Sequence, residues 1–161
     1  MATWNINDIK TQFNRVIKNS WLPYFVEGAK KTDFTTPAVI MAIASRETNI
    51  DPRYLKEKGD GGHGHGLMQI DDRSYPEFCA SKKWQIAREA ILKGCEVLGE
   101  KFDEVSKSKV VIKTNPGMDV RLRLAIAGYN CGTSRSISNF SKGRDIDSNT
   151  TGKNYSVDVL N

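Results

Sequence analysis

Three carboxylates in the first half of the chain have the residue types and surroundings that acid–base chemistry requires. Glu47 continues an apolar stripe that includes Ile40 and Ile43, in a segment with helical periodicity. Apolar surroundings favour the protonated form of a carboxyl group, which is the form that a general acid needs. Asp60 and Asp71 follow downstream, where either could activate a water molecule. Inverting glycosidases use one acid and one separated base of this kind, so the residues predict glycoside hydrolysis.

The position of Glu47 on an apolar stripe also has explanations that need no catalytic role. A carboxylate on an apolar face is costly unless it is paired or protonated. Arg46 or another base could pair with Glu47, or the end of the helix could turn its side chain towards solvent.

The stretch GDGGHGHGLMQIDD, from Gly59 to Asp72, allows three interpretations. His63 and His65 suggest copper or zinc, but two histidines alone in a flexible loop form a weak site. No Gly-Lys-Ser/Thr follows the glycines, so a phosphate-binding loop is excluded. We interpret the stretch as a glycine-rich turn that lets backbone approach a ligand and places Asp60 and Asp71 on one wall of a cleft, opposite Glu47.

Helical periodicity dominates the elements that must position these residues. Thr36 and Pro37 predict the start of the helix that carries Glu47. The other predicted helices include an apolar stripe of Ile6, Ile9, Phe13, Val16 and Ile17, a short helix opened by Pro23, a long helix from about Trp84 to Val105, a helix capped by Asn115 or Asp119 that stops near Gly132, and a last short helix over NYSVDVL. We predict loops at the polar start of Lys107–Lys113 and over Ser141–Gly152. Trp4, Trp21 and Trp84 could stack on sugars, but their helical phasing favours packing.

Length predicts one domain over residues 1–161, and helical periodicity predicts the mainly α class, with a possible small β-hairpin near the glycine-rich loop. The net charge of +5 fits an anionic partner such as cell wall, whereas the scattered Lys and Arg residues do not predict nucleic-acid binding. No segment predicts a membrane span or a signal peptide. Cys79, Cys95 and Cys131 lack metal-binding spacing and are interpreted as small buried residues, although one disulfide stays possible.

Four ordered blocks of the sequence resemble goose-type lysozyme. They comprise Ser45–Glu47, the Gly-Asp pair at Gly59 with GHGLMQID from Gly64 to Asp71, GYNCG from Gly128 to Gly132, and Thr150–Gly152 followed by Tyr155 and Asp158–Val159. The matches keep their order from about Pro37 to Val159. The resemblance therefore covers most of the chain and is more specific than any one block.

The resemblance implies a lysozyme-like fold with a cleft between helical lobes. It makes Glu47 the general acid and gives Asp60 and Asp71 the task of positioning or activating water. The substrate would be the β-1,4 bond between N-acetylmuramic acid and N-acetylglucosamine in peptidoglycan, with no cofactor and no metal. Further residues implied to contact the sugar are Tyr129, Asn130, Tyr155, Gln69 and Tyr75.

Some positions depart from the family pattern. Tyr75 stands where vertebrate members commonly carry a histidine, and Gly128 and Cys131 replace alanines. From the helical pattern alone, Tyr129 could equally be a core aromatic, and Asn130 could cap its helix. These departures suggest a distant branch of the family, bacterial or from a bacteriophage.

The sequence is compatible with three functions. A hydrolytic lysozyme needs a carboxylate that handles water, and both Asp60 and Asp71 favour it. A lytic transglycosylase shares the fold and the catalytic Glu, but closes a muramic acid hydroxyl onto the anomeric carbon without water. A non-catalytic wall-binding or DNA-binding domain would need no carboxylate at Glu47. We expect a monomer that is secreted or otherwise delivered to the cell wall, with a protein lysozyme inhibitor as a further possible partner.

Overall fold

The computed structural model describes residues 6–161, and this part of the chain is mainly helical. The described α-helices are α1 Ile6–Lys18, α2 Leu22–Lys30, α3 Pro37–Thr48, α4 Pro76–Ala80, α5 Ala87–Lys107, α6 Lys109–Thr114, α7 Met118–Cys131, α8 Thr133–Ser141 and α9 Tyr155–Leu160. Single-turn 3-10 helices lie at Pro52–Leu55, Asp60–Gly62, Lys83–Gln85, Ile146–Asn149 and Thr151–Lys153.

The predicted hairpin at the glycine-rich loop is confirmed and extended by a third strand. Three two-residue strands form an antiparallel sheet in the order β1-β2-β3: β1 Lys58–Gly59, β2 Gly64–His65 and β3 Ile70–Asp71. Because β2 lies in the middle, the chain segments that follow β1 and β3 come from the two outer strands of the sheet.

Helix α3 begins and ends where its sequence predicts. The hydroxyl of Thr36 accepts a hydrogen bond from the Val39 amide at 3.4 Å, and Pro37 occupies the first turn. Asn49 ends the helix in the left-handed conformation, with φ of 53°. Ile40 and Ile43 are fully buried, so the apolar stripe faces the core as expected.

The described chain forms two compact units, one that ends at Glu96 and one that spans Val97–Asn161. In the first, Trp21 and Trp84 are 6% and 4% exposed, which confirms that they pack rather than offer surface to a ligand. Trp4 lies outside the described residues. One domain over residues 1–161, with a cleft between helical lobes, stays a prediction.

Three expectations about local structure were wrong. The segment after Lys107, of which only the start is polar, forms helix α6, because the Ser108 hydroxyl caps it by accepting from the Val111 amide at 3.2 Å. Asn115 closes α6 instead of capping α7, which begins after Gly117. The segment Ser141–Gly152 is no simple surface loop, since it contains a 3-10 helix in which Asp147 is fully buried.

The apolar stripe of α1 is real as a sequence pattern but only partly buried. Val16 is completely buried, whereas Ile9, Phe13 and Ile17 are each about half exposed. No helix among residues 6–161 is long and apolar enough to cross a lipid bilayer. The three cysteines are buried and free, so no disulfide forms among them.

Candidate active site

Glu47 lies in the last turn of α3 and is half-buried. The next residue fixes this turn: the Thr48 hydroxyl donates to the Ala44 carbonyl oxygen at 3.1 Å and to the Leu67 carbonyl oxygen at 2.9 Å. Thr48 and Leu67 are both buried, and Leu67 belongs to the connection between β2 and β3. The end of α3 is therefore tied directly to the sheet region that carries the aspartates.

Asp60 and Asp71 share one guanidinium group. Arg73 Nε donates to Asp71 Oδ1 at 2.7 Å, and Arg73 Nη2 donates to Asp60 Oδ2 at 3.2 Å. The Ser74 hydroxyl donates to the other Asp71 oxygen at 3.1 Å. Asp60 is 69% exposed at its side chain, and Asp71 is 34% exposed. The two predicted water-positioning carboxylates thus belong to one ionic cluster that faces solvent.

The hydrogen bonds around Asp71 keep it ionised. Partial burial raises the pKa of this carboxyl, but donation from Arg73 and Ser74 and the charge of Arg73 outweigh burial, so the net pKa lies below its ordinary value. The same contacts raise the pKa of Arg73, with the hydrogen bond to Asp71 as the largest cause. Asp71 is therefore a carboxylate at neutral pH, as a residue that binds water through its negative oxygens must be.

Asp72 points to a different set of partners. Its two oxygens lie 2.8 Å from His63 Nδ1 and 3.0 Å from His65 Nε2. Hydrogen bonds from His63 and then His65 lower the pKa of Asp72. His65 is 3% exposed and meets the Trp84 ring edge-on, with centroids 5.0 Å apart. The histidines of the glycine-rich stretch therefore anchor the end of β3.

One group of side chains in the described chain has metal-ligand character. His63, Asp71 and Asp72 each offer a ligand atom, and these atoms lie within 4.8 Å of one another. The carboxylates already accept hydrogen bonds from Arg73, Ser74 and the histidines, so the cluster is satisfied without an ion. A site that works without metal stays our prediction.

Two further candidates for sugar contacts lie beside the sheet. Gln69 has φ of 48°, and its side-chain amide nitrogen donates to the Gly66 carbonyl oxygen at 3.0 Å. A Cβ at Gly59 or Gly64 would overlap the Gln69 amide oxygen, so the glycines give this side chain its place. Tyr75 is half-buried under the Lys93 ammonium, which lies 4.4 Å from the ring centroid.

The remaining candidates belong to the C-terminal unit. Tyr129 and Asn130 are half-buried near the end of α7, and the Asn130 side-chain oxygen accepts from the Thr151 amide at 2.9 Å. Asn130 thereby ties the end of α7 to the Thr-Thr segment. Tyr155 is only 1% exposed, which leaves it little surface for a sugar in this structure. Sugar contacts from all three residues stay predictions.

Packing explains one departure from the family pattern. Gly128 lies inside α7, where an added Cβ would come within 2.6 Å of Thr133 Cγ2 and 3.1 Å of Thr133 Cα. Thr133 is itself buried, and its hydroxyl donates to Glu104. The glycine therefore leaves the space that this threonine occupies, because an alanine at this position would require α8 to shift.

The family model described as "Lysozyme g" matches residues 5–161. The chain belongs to the lysozyme g family. It is 35% identical to a lysozyme g of Takifugu rubripes over 77% of this chain and 62% of that protein, and 32% identical to a lysozyme g of Casuarius casuarius over 77% and 60%. A lysozyme g of Cyprinus carpio is 33% identical over 82% of this chain and 63% of its own length.

Family membership confirms the mainly α, lysozyme-like fold expected from the sequence. The chain spans about three-fifths of the length of the curated relatives it matches. Arg73 was not predicted from the sequence, although it lies two residues after Asp71, in the turn that follows β3. The pairing of Asp72 with both histidines was not predicted either.

Proposed function

We propose that this chain is a muramidase that hydrolyses the β-1,4 bond between N-acetylmuramic acid and N-acetylglucosamine in peptidoglycan. Membership of the lysozyme g family supports the reaction class. The observation that carries the proposal is the pair of carboxylates, Asp60 and Asp71, on one guanidinium in the same compact unit as Glu47. The basic balance of the chain, +5, suits the anionic polymer that it would act on.

The proposed mechanism gives the acid and the aspartates separate tasks. Glu47 donates a proton to the glycosidic oxygen as the bond to the leaving sugar breaks. Asp60 and Asp71 hold a water molecule and take up its proton as the oxygen attacks the anomeric carbon from the opposite face. Direct attack inverts the configuration and gives the α-anomer. Such a mechanism needs about 6.5–9.5 Å between the acid and base carboxyls.

Product analysis tests hydrolysis against the closest alternative. Digestion of purified peptidoglycan should release fragments with reducing ends, which mass spectrometry distinguishes from 1,6-anhydro ends by the mass of one water. Proton NMR of fresh product should show the α-anomer first. Fragments with 1,6-anhydro ends would make the chain a lytic transglycosylase, and an initial β-anomer would refute inversion.

Substitution of the aspartates tests their shared role. We expect Asp60→Asn and Asp71→Asn each to lower activity in part, and the double variant to approach the loss caused by Glu47→Gln. Asp71 should contribute more because Arg73 and Ser74 both hold it, whereas Asp60 is largely exposed. Asp33→Asn, at an exposed position of the same unit, is the charge-matched control and should leave activity unchanged. Full activity in the double variant would remove both aspartates from the mechanism.

The proposal extends to substrate contacts and to the place of action. Contacts to the sugars near the cleaved bond come from Gln69, Tyr75, Tyr129, Asn130 and Tyr155. The protein acts as a monomer on glycan strands, without cofactor, metal or nucleic acid. It reaches its substrate at the cell wall by secretion or another delivery route, and a protein lysozyme inhibitor is a candidate partner there.

A further inference from the structure

The guanidinium of Arg73 lies between the two aspartates, and the proposed mechanism gives it no role. It bonds Asp71 through Nε and Asp60 through Nη2, so both contacts can exist at once. Asp71 ends β3, and Asp60 follows β1, the outer strand on the other side of β2. These outer strands share no backbone ladder, so the guanidinium joins two segments that strand pairing leaves separate.

We propose that Arg73 is a positioning residue that holds the Asp60 and Asp71 carboxylates together as one water-binding unit. This role rests on the proposed hydrolytic function. It assigns to Arg73 no contact with substrate, only the orientation of the two aspartates and support for the ionised form of Asp71.

The distribution of acceptors supports this role. Arg73 uses one oxygen of each aspartate, Asp71 Oδ1 and Asp60 Oδ2. Within residues 6–161 the second Asp60 oxygen accepts no hydrogen bond, so it keeps its lone pairs for a water molecule. The second Asp71 oxygen accepts from the Ser74 hydroxyl and retains one further lone pair. The cluster thus fixes the direction of both carboxylates and leaves acceptor capacity on each.

Charge gives a second reason for Arg73. Two carboxylates held close together favour protonation of one of them, and a cation between them opposes this effect. Asp60 has φ of 45°, a conformation that non-glycine residues seldom adopt, so its loop needs a contact that keeps it in place. The cluster of two carboxylates and one guanidinium keeps a net charge of −1, which suits a reaction whose transition state develops positive charge on the sugar.

A purely structural role makes a different prediction. The Arg73 side chain is 60% exposed, and exposed ion pairs contribute little to folding stability. Arg88 offers a matched control because it also joins two carboxylates, Glu27 and Glu89, and is 43% exposed. Removal of either arginine should leave the thermal unfolding transition nearly unchanged, so an effect on catalysis alone would belong to the site.

The experiment compares kcat as a function of pH for the wild type, Arg73→Ala, Arg73→Lys and Arg88→Ala on peptidoglycan. Arg73→Ala should lower kcat by roughly tenfold to hundredfold, the size expected when a reacting group loses its orientation. The acidic limb, which reports the carboxylate that must be ionised, should move to higher pH. Arg73→Lys keeps the charge but offers a single nitrogen, so it should restore the acidic limb while kcat stays low.

Neighbouring titratable groups are controlled in the same series. Asp72, His63 and His65 adjoin the cluster, and only His63 among the histidines is exposed. The shift caused by Arg73→Ala should persist in a His63→Gln background. Its disappearance there would assign the pH dependence to the imidazole and overturn the role of Arg73.

Two failures can be told apart by the products. If Arg73→Ala retains the kcat and acidic limb of the wild type while the products carry reducing ends, Arg73 is no positioning residue and hydrolysis stands. If the wild type forms 1,6-anhydro ends, the proposed function fails, and the inference that depends on bound water fails with it.

Discussion

The buried carboxylate of Asp147 should be worth more to folding than any other acidic group described in the C-terminal unit. Its side chain is completely buried within Ile146–Asn149. It accepts from the Ser156 and Val157 amides at 2.9 and 3.3 Å, two donors in the first turn of α9 that have no partner within their helix. It also accepts from the Ser156 hydroxyl at 2.6 Å. The substitution Asp147→Asn keeps the shape and removes the charge.

The expected loss follows from these contacts. Further donors to the carboxylate are the Thr150 hydroxyl at 3.2 Å and Arg123 Nη2 at 3.4 Å. An asparagine NH2 group replaces one oxygen, and hydroxyls can turn to face it, whereas a backbone amide cannot. One buried amide is then unsatisfied, at about 1–3 kcal/mol, and the remaining bonds lose their charge assistance. We expect a loss of about 2–4 kcal/mol and a melting temperature lower by roughly 5–15 °C.

Urea unfolding followed by far-ultraviolet circular dichroism would measure this loss at pH 7. Burial raises the pKa of Asp147, but hydrogen bonds from Ser156, Val157 and Thr150 outweigh it, and the net pKa lies below the ordinary 3.8. The charged group therefore contributes fully above its unfolded-state pKa, and the contribution disappears as pH falls through the lower folded-state pKa. The difference in free energy of unfolding between the wild type and Asp147→Asn should therefore become smaller at acidic pH.

A control variant removes a charge from the surface of the same unit. Asp103→Asn loses an exposed pair with Lys107, and we expect a change within about 0.5 kcal/mol. Two results would refute the assignment of this carboxylate as a buried, charged helix cap. One is a free energy of unfolding at pH 7 that is the same for Asp147→Asn and the wild type. The other is a difference between the two proteins that stays constant as the pH falls.

Three further outcomes are expected. Glu47→Gln should keep the fold and lower cleavage by roughly a hundredfold to ten-thousandfold, because the amide cannot donate the catalytic proton; near-normal turbidity clearing would exclude the general acid. Excess EDTA should leave cleavage unchanged, and a His63→Ala, His65→Ala double variant should remain active if folded; restoration by zinc after chelation would contradict this. The three cysteines should react with a thiol reagent only after unfolding, since burial raises the pKa of Cys95 to about 12.

The sequence predicted the acid-bearing helix well because its signals are local. A capping threonine, a proline in the first turn and an apolar stripe all act within a few residues, and each appears in the structure as expected. Helix α6 was missed because it has only six residues, three of them β-branched valine or isoleucine, and its cap, Ser108, is an ordinary residue in a polar run. Apolar spacing in α1 predicted a helix face but not what covers it, and Phe13 is half exposed.

Contacts between distant segments could not be predicted from such local signals. The bond between Arg73 and Asp60 depends on the order of three two-residue strands and on a positive φ at Asp60. Neither follows from propensity. Asp147 was placed in a surface loop because Ser, Asn, Asp and Gly surround it, whereas its carboxylate closes the start of a helix eight residues later.

The adjacent aspartates at the end of β3 have different partners, although their carboxylates approach within 4.8 Å of each other. Asp72 pairs with His63 and His65, and the buried His65 lies against Trp84. Asp72 lies in the turn that follows β3, so its bonds to the two histidines fix the backbone next to Asp71. The two histidines that first suggest a metal therefore have a simpler role: they hold the end of β3 through Asp72, while Arg73 orients Asp71. Loss of the histidines should then loosen the strand end but leave the reacting groups intact.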